Sequence, residues 1–319
     1  MPELPEVETV CQGLNQMTLN QEIWGGDVLL TRTIAYPFSV GEFLAHLKTV
    51  TITRWHRRGK YLLAQLAHSD PKYQTGVMSQ EATPQIHLRE NPPKAIIHNL
   101  KSADAGWLGV HLRMTGQLLW LNREEPLHKH TRVRLFFPNN QELRFVDQRT
   151  FGHMWCVPPC VPLESIITGL KQLGPEPFSE QFSLEYLAGK LRHRQRSIKA
   201  ALLDQTLVAG VGNIYADEAL FLSRIRPETL CADLNVEQIE RLRSSLIQVL
   251  QASIQVGGTT FSNFLNVQGV NGNYGGVAWV YGRTGQHCRV CHRSIVRLKV
   301  GGRSSHFCPN CQQLPSAKG

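Results

Sequence analysis

The stretch CRVCHRSIVRLKVGGRSSHFCPNC, residues 288–311, decides the fold of the C-terminal part of the chain. It contains two Cys-x-x-Cys pairs, Cys288/Cys291 and Cys308/Cys311, which are separated by sixteen residues. Each pair can chelate from one tight turn, and a strand pair between them can bring all four thiolates to one tetrahedron. Four thiolates close the coordination sphere, so the sequence predicts one structural Zn2+ that organises the fold.

The arm between the two cysteine pairs is basic. It carries Arg293, Arg297, Lys299 and Arg303, the last directly after a Gly-Gly pair. A hairpin of this kind can place an arginine in a groove or against a phosphate. The alternative is a zinc ribbon that makes protein contacts.

Positive charge is concentrated in the C-terminal quarter. The chain of 319 residues has a net charge of +9, and its last acidic residue is Glu240. From 241 onward there are nine Lys or Arg and no Asp or Glu, whereas residues 1–240 balance at 25 against 25. A field of one sign favours a polyanion, and nucleic acid is the commonest candidate. Solubilising charge, the alternative, would be spread more evenly.

The remaining cysteines and the apolar segments predict a cytosolic protein without a membrane span. No segment reaches about 18 consecutive apolar residues, and no signal-peptide pattern is present. The sequence suggests no oligomer interface, so we expect a monomer. Four further cysteines are expected to be structurally ordinary: Cys11, Cys156, Cys160 and Cys231.

The chain starts Met1-Pro2-Glu3-Leu4-Pro5-Glu6, and removal of Met1 would leave Pro2 as a free secondary amine beside carboxylates. An α-amino group has a reference pKa of about 7.8, so a substantial fraction is unprotonated near neutral pH, unlike lysine. An unprotonated amine can attack electrophilic carbon and form an imine-type intermediate. The alternative is an ordinary terminus with a proline in the first helical turn.

The first half of the chain is predicted to be a β-sandwich packed on a helix. Apolar residues at helical spacing predict an amphipathic helix up to about residue 17. From 28 to about 157, β-branched and alternating residues are typical of strands, with a hairpin turn at Pro138-Asn139-Asn140. Residues 68–105 break this pattern and predict an inserted surface loop. The clearest strand segments are 50–56, 60–66, 107–121, 131–137 and 142–146.

After a linker rich in Pro and Gly at 158–177, the pattern becomes helical. Polar residues that can cap helices precede each apolar stripe. Residues 259–278 are rich in Gly and Asn without periodicity, which predicts a flexible loop before the cysteine module. Helix starts are expected at Ser183, Ser197, Asn213 and Asn235.

Together these features resemble the formamidopyrimidine-DNA glycosylases, bacterial repair enzymes that remove oxidised purines. The resemblance covers nearly the whole chain outside 68–105, and so many motifs in one order argue against chance. The matching motifs are MPELPEVE (1–8), RRGKY (57–61), HLRMTG (111–116), DQRTFG (147–152), GVGNIYA (210–216), GGTT (257–260), VYGR (280–283) and the zinc ribbon.

The resemblance implies an α+β multidomain fold with damaged double-stranded DNA held in the cleft between the domains. Residues 1–157 would form an N-terminal antiparallel β-sandwich with a flanking helix. Residues 158–279 would form a helix-two-turn-helix domain whose loop 259–278 caps the lesion. Residues 280–319 would form the zinc finger, a β-hairpin.

The resemblance also implies roles for individual residues. Pro2 would be the nucleophile at C1′ of the damaged nucleotide, Glu3 its acid/base partner, and Glu6 a support for the hydrogen-bond network. Lys60 would bind the phosphate beside the lesion. Further backbone contacts would come from His111, Asn213, Tyr281 and Arg303.

Met114, Arg149 and Phe151 match the wedge residues of that family. A base that is to be excised must leave the stack, and side chains then fill the void. Judged from the residues alone, ordinary sandwich core is the alternative for Met114 and Phe151.

The implied activity is that of a bifunctional glycosylase and AP lyase, acting on 8-oxoguanine and formamidopyrimidines by β,δ-elimination in the cytoplasm, at the nucleoid. One alternative is an endonuclease VIII-like enzyme for oxidised pyrimidines, but that sister typically has Gly where this chain has Leu4. The other is a non-catalytic DNA-binding protein on the same scaffold. The intact Pro2, Glu3, Glu6 and Lys60 argue against it, since binding alone would not require them.

Overall fold

The structure, a computed structural model, describes residues 1–68, 104–259 and 265–313. The expected insertion at 68–105 lies outside the described residues, apart from its ends, and stays a prediction. The chain divides into two compact units. The first contains the described parts of Met1–Pro2, Glu6–Lys171 and Asn263–Asn271; the second contains those of Glu3–Pro5, Gln172–Ser262 and Gly272–Gly319.

The first unit is built on two sheets. Its strands are β1 (Glu22–Ile23), β2 (Gly25–Val28), β3 (Ile34–Tyr36), β4 (Val50–Arg58), β5 (Tyr61–His68), β6 (Asp104–His111), β7 (Gly116–Asn122), β8 (Thr131–Phe136), β9 (Gln141–Asp147) and β10 (His153–Val157). The six-stranded sheet has the order β1-β4-β5-β6-β10-β3, and the four-stranded sheet has the order β2-β8-β9-β7. Neighbouring strands are antiparallel except β10 and β3, which pair in parallel. The expected antiparallel β-sandwich is therefore confirmed.

One apolar core fills the first unit. It takes side chains from both sheets, such as Trp55 and Phe145, and from the N-terminal helix, such as Leu14. That helix, as expected, starts at residue 4 and ends at 17, and two more helices accompany it. The helices of this unit are α1 (Leu4–Met17), α2 (Val40–Leu47) and α3 (Leu163–Ile166).

Helix α2 corrects the expectation that the chain from 28 to 157 consists of strands alone. Ser39 caps it by accepting a hydrogen bond from the backbone N–H of Glu42. Phe43 and Leu47 are four residues apart and are both fully buried. This spacing is the helical period rather than the period of two of a strand, so the signal was present in the sequence.

A second correction concerns 107–121, which the sequence predicts as one strand. The structure divides it into β6 and β7, which belong to different sheets. The backbone N–H of Gly116 donates to the carbonyl of Leu112 and closes the turn between them, where Arg113 adopts a φ of +53°. Apolar alternation continues through the turn, so periodicity alone does not reveal the break.

The second unit is a helical domain followed by a β-hairpin. Its core includes the buried side chains of Leu4, Phe182 and Leu246. Side chains of the expected residues Ser183, Ser197 and Asn235 cap three of its helices, the last through a reciprocal capping box. Its elements are α4 (Leu184–Leu191), α5 (Ile198–Leu202), α6 (Asn213–Leu222), α7 (Val236–Gln255), β11 (Val296–Val300) and β12 (Arg303–Phe307).

The described part of the expected loop 259–278 has two anchors. Val267 is buried in the core of the first unit, and its carbonyl accepts from the backbone N–H of Trp120 at 2.9 Å. Tyr274 is buried in the core of the second unit. Single apolar residues among glycines produce no periodicity, so these anchors could not be predicted from the sequence. Within the described ranges, no helix combines the length and apolar character needed to cross a bilayer.

Candidate active site

The carboxylate of Glu3 lies at the N-terminus of α6. Its Oε1 accepts from the backbone N–H of Ile214 at 3.0 Å, and Oε2 accepts from that of Tyr215 at 3.4 Å. The first N–H groups of a helix have no partner within the helix, and the positive end of the helix dipole favours an anion there. Glu3 is only 3% exposed, so this helix start fixes a buried carboxylate directly after Pro2.

Two glycines make this approach possible. A Cβ on Gly212 would lie 2.3 Å from Cδ of Glu3, a separation that no real side chain tolerates. Gly210 has a φ of +86°, and a Cβ there would lie 2.7 Å from Cβ of Leu4. The carbonyl of Gly210 accepts from the backbone N–H of Leu4 at 3.0 Å. The absence of side chains at Gly210 and Gly212 therefore leaves the space that Leu4 and Glu3 occupy.

Pro2 and Glu6 lie on either side of this anchored segment. Pro2 is buried, and Glu6 in the first turn of α1 is fully buried. Both belong to the first unit, whereas Glu3–Pro5 belong to the second. The chain thus passes from the first unit to the second at the peptide bond between Pro2 and Glu3, and returns to the first at the bond between Pro5 and Glu6.

Lys60 and His111 lie at one end of the six-stranded sheet. Arg58 and Tyr61 pair across the β4–β5 hairpin, so Gly59 and Lys60 form a two-residue turn, with Gly59 at a φ of +55°. Tyr61 pairs in turn with His111, the last residue of β6. Lys60 therefore lies at the tip of this hairpin, and the Lys60 side chain is largely buried rather than extended into solvent.

His111 is neutral at physiological pH. Burial, together with the positive charges of Arg113 and Lys60, lowers its pKa to about 3. Its Nδ1 accepts from the backbone N–H of Arg113 at 3.0 Å. The neutral tautomer that accepts at Nδ1 carries its proton on Nε2, so His111 can donate one hydrogen bond from Nε2 without adding charge.

The three expected wedge residues are exposed on two neighbouring turns. Met114 is 37% exposed and Phe151 is 49% exposed, which excludes the alternative that they are sandwich core. The guanidinium of Arg149 lies over the ring of Phe151 at 4.9 Å from its centroid. Large apolar side chains that are exposed and lie close together are typical of an interaction surface.

Asn213, Tyr281 and Arg303 belong to the second unit. Asn213 is the first residue of α6, and its amide forms a hydrogen bond with the Tyr281 hydroxyl. Burial raises the pKa of Tyr281, so its hydroxyl keeps its proton. Arg303 is exposed at the start of β12, directly after the tight turn Gly301-Gly302.

Two buried carboxylates on α6, which the sequence analysis did not single out, hold these residues in place. Glu218 accepts from the backbone N–H groups of Trp279, Val280 and Tyr281 at 2.7, 2.9 and 2.8 Å. Burial raises the pKa of Glu218, against the effect of these donors. An Asp-Glu pair inside an otherwise apolar helix was the available signal, because buried carboxylates require partners.

The second of these carboxylates is Asp217, which ties α6 to the finger hairpin. Its Oδ2 accepts from the backbone N–H of His306 in β12 at 2.9 Å, and it pairs with the fully buried Lys199 through Oδ1. Lys199 also reaches the carbonyl of Ser304 at 3.4 Å. Burial lowers the pKa of Lys199, and the Asp217 carboxylate opposes that shift.

The four predicted metal ligands form one cluster. The sulfur atoms of Cys288, Cys291, Cys308 and Cys311 all lie within 4.8 Å of one another. The Sγ atoms of Cys288 and Cys311 are 3.9 Å apart, and those of Cys291 and Cys308 are 3.3 Å apart. A tetrahedron with zinc–sulfur bonds of about 2.3 Å requires a similar separation between sulfur atoms, about 3.8 Å. The donor set fits one structural Zn2+, as expected, and among the described residues it is the only such cluster.

A carboxylate fixed by a helix start beside Pro2, together with a basic zinc finger, fits the class of protein that the sequence resembles, the helix-two-turn-helix DNA glycosylases that carry a zinc finger. Family models narrow the class. Residues 1–154 match the formamidopyrimidine-DNA glycosylase N-terminal domain, and residues 173–264 match its H2TH domain. Residues 285–314 match the zinc finger found in FPG and IleRS.

Individual relatives agree with the family models. The formamidopyrimidine-DNA glycosylase of Nostoc punctiforme is 64% identical over 314 residues, covering 98% of this chain and 97% of the relative. Lactococcus lactis Fpg in complex with abasic-site DNA is 32% identical with a TM-score of 0.79, covering 98% and 99%. The same protein with N7-benzyl-Fapy-dG DNA also has a TM-score of 0.79, covering 98% and 100%. The chain belongs to the formamidopyrimidine-DNA glycosylase family, and the expected DNA glycosylase is confirmed.

The contact between Gly212 and Glu3 leads to a first prediction. Gly212→Ala should force the Glu3 carboxylate off the start of α6 and slow lesion cleavage by about tenfold or more, since a hydrogen bond to a charged group contributes about 1.5–3 kcal/mol. Single-turnover cleavage of a lesion-containing duplex measures this. Gly189→Ala is the matched control, because a Cβ at that helical position meets no atom within 4 Å. Equal activity of the two variants would contradict the assignment.

The cysteine cluster leads to a second prediction. The finger has a small apolar core, in which Val280 and Ile295 pack with Phe221 of α6, so the metal should supply most of its stability, on the order of 10 kcal/mol. Chelation should release one zinc per chain, expose 285–313 to proteases and weaken DNA binding in an anisotropy titration. Unchanged DNA affinity after complete zinc release would refute a role for the finger in binding.

Proposed function

We propose that this protein is a bifunctional DNA glycosylase and AP lyase that excises oxidised purines through the amine of Pro2. The observation that carries the proposal is the buried carboxylate of Glu3, held at a helix start directly after Pro2. A reactive amine needs a proton donor and acceptor beside it. Removal of Met1 by processing would supply that amine.

The amine is suited to attack at neutral pH. The reference pKa of an α-amino group is about 7.8, and α1 begins at Leu4, two residues further on. The positive end of a helix favours the neutral form of a nearby amine, whereas the carboxylates of Glu3 and Glu6 favour its protonated form. A secondary amine that attacks a sugar carbon forms an iminium, which is the electron sink for the later eliminations.

The proposed reaction has five steps, which are base displacement, ring opening, two eliminations and release of the sugar remnant. The Pro2 nitrogen bonds to C1′ while the bond from C1′ to the base breaks, and the departing base takes a proton from water. The Glu3 carboxylate takes the proton that the Pro2 nitrogen loses and passes it to the ring oxygen, so the sugar opens to an iminium between C1′ and Pro2. Loss of a C2′ proton then expels the 3′ phosphate, a second elimination expels the 5′ phosphate, and water releases the sugar remnant.

Phosphate contacts would position the DNA for this chemistry. Lys60 offers a cation and His111 a neutral donor at one sheet end, and Asn213, Tyr281 and Arg303 offer donors of the second unit. Cations, side-chain donors and helix starts are the groups that bind phosphate. We assign catalysis to 1–157 with Glu6 as a support, and DNA binding to 158–279 and 280–319.

The wedge proposal assigns Met114, Arg149 and Phe151 to the space that an everted base leaves behind. Their exposure supports it, because residues that enter a base stack must be accessible on the free protein. A thioether, a guanidinium and an aromatic ring can each stack on bases. The loop 259–278 would cap the base on its other side, in a region that includes residues outside the described ranges.

The proposed substrates of the protein are damaged purines in double-stranded DNA. The relatives carry the name formamidopyrimidine-DNA glycosylase, and one Lactococcus lactis Fpg complex contains a Fapy-dG derivative. We place the protein in the cytoplasm, as a monomer at the nucleoid. An enzyme for oxidised pyrimidines is the competing assignment, and Leu4 argues against it.

Borohydride trapping tests the chemistry. Sodium borohydride reduces an iminium to a stable amine, so the wild type should yield a covalent protein–DNA adduct with a duplex containing 8-oxoguanine opposite cytosine. Pro2→Gly should lower the adduct yield to a small fraction, whereas Pro126→Gly, at an exposed loop proline, should not. Equal adduct from the Pro2 variant would contradict the proposed nucleophile.

The same assay separates the competing substrate. A duplex with thymine glycol should be cleaved much more slowly than the 8-oxoguanine duplex. Preferential cleavage of the thymine glycol duplex would assign the enzyme to oxidised pyrimidines, and no cleavage or adduct with either would favour a non-catalytic DNA-binding protein.

A further inference from the structure

The two wedge turns are two of the connections between the two sheets of the first unit. One turn leads from β6 to β7 and carries Met114, and the other leads from β9 to β10 and carries Arg149 and Phe151. Gly116 and Asp147, the residues that flank them, pair directly across β7 and β9. Both turns therefore lie side by side at the same end of the sandwich.

Each turn contains a strained residue beside a wedge residue. Arg113, just before Met114, has a φ of +53°, and Thr150, between Arg149 and Phe151, has a φ of +58°. The left-handed region is unfavourable for non-glycine residues and rare for a β-branched one. Such conformations persist only where surrounding contacts fix them, so something must hold the two turns.

The carboxylate of Asp147 provides these contacts. Its Oδ1 accepts from the Thr115 hydroxyl of the first turn and from the backbone N–H of Arg149 in the second, the latter at 3.2 Å. Its Oδ2 accepts from the backbone N–H of Gly152 at 2.7 Å. The Thr115 oxygen also accepts from the N–H of Arg149 at 2.9 Å. One carboxylate thus joins both turns.

The surroundings of Asp147 leave this carboxylate little freedom. Asp147 is 1% exposed, and its backbone carbonyl accepts from Nε of Arg132 at 2.8 Å. A Cβ on Gly152 would lie 2.4 Å from Cζ of Phe145 and 3.1 Å from Oδ2 of Asp147. Only glycine brings its N–H this close to the carboxylate, so the hydrogen bond from residue 152 to Asp147 requires a glycine at that position.

We propose that Asp147 and Thr115 form a latch that positions Met114, Arg149 and Phe151 as one rigid wedge. Asp147 is a positioning residue: it acts through the wedge side chains and does not touch the reacting atoms. This role rests on the wedge function proposed above. The latch is needed when a base must leave a duplex. It is not needed for amine chemistry on an abasic site in a single strand, where no base has to leave a stack.

Two substrates distinguish this role from a general structural one. Asp147→Asn and Thr115→Val should each lower the single-turnover rate of 8-oxoguanine excision from a duplex by about tenfold or more, in line with the loss of a hydrogen bond to a charged group. Cleavage of single-stranded abasic DNA by the same variants should stay within about twofold of wild type. A 2-aminopurine beside the lesion should report slower unstacking in the duplex.

Further variants test the pair itself. Thr115→Ser keeps the hydroxyl and should retain excision. The Asp147→Asn/Thr115→Val double variant should be little worse than the poorer single variant, because residues in one hydrogen-bond network are not additive. Asp27→Asn is the control, since that carboxylate in β2 is exposed and pairs with Arg134 at 3.2 Å on the surface, where an ion pair contributes little.

Several outcomes would overturn the latch. Duplex excision at the wild-type rate by Asp147→Asn and Thr115→Val would overturn the latch but not the proposed function. An equal loss of rate on duplex and single-stranded substrates would do the same. Thr115 is only partly buried, so its variants decide the matter even where Asp147→Asn does not fold. Absence of excision and adduct in the wild type would instead overturn the proposed function.

Discussion

The carboxylate of Glu3 on the first N–H groups of α6 is the constraint on which the candidate active site depends. A buried carboxylate without partners would be costly, and a helix start supplies both hydrogen bonds and a favourable dipole. Gly212 is the condition for this contact, because any side chain there would occupy the position of the carboxylate. The position of residue 2 follows from it, since Pro2 is joined to Glu3 by one peptide bond.

Helix α6 serves as the common reference for the second unit. Its start holds Glu3, its Asp217 holds strand β12 of the finger, and its Glu218 holds the backbone of 279–281. The residues that we propose to bind the DNA backbone in this unit are therefore fixed relative to a single element. The position of Arg303 depends both on the Zn2+ that closes the finger and on the Asp217 carboxylate that ties the finger to α6. Neither of these contacts positions Arg303 alone.

Local signals could be predicted from the sequence, and distant partners could not. Ser183 and Asn235 cap their helices as expected, because capping depends on neighbours in the chain. The cysteine spacing sufficed for the zinc site for the same reason. Asp147 reaches Thr115 only through the pairing of β7 with β9, and Asp217 reaches His306 across 89 positions. The roles proposed for Lys60 and for the wedge residues came from the resemblance of their motifs to a known family. Residue spacing alone does not reveal where these side chains lie in the folded protein.

The central claim is that the amine of residue 2 becomes covalently joined to deoxyribose. Peptide mapping by mass spectrometry of the reduced protein–DNA adduct tests this most directly, because it locates the sugar remnant on a single nitrogen. The account predicts an N-terminal peptide that lacks Met1 and carries the remnant on Pro2. A remnant on a lysine, such as Lys60, would contradict it.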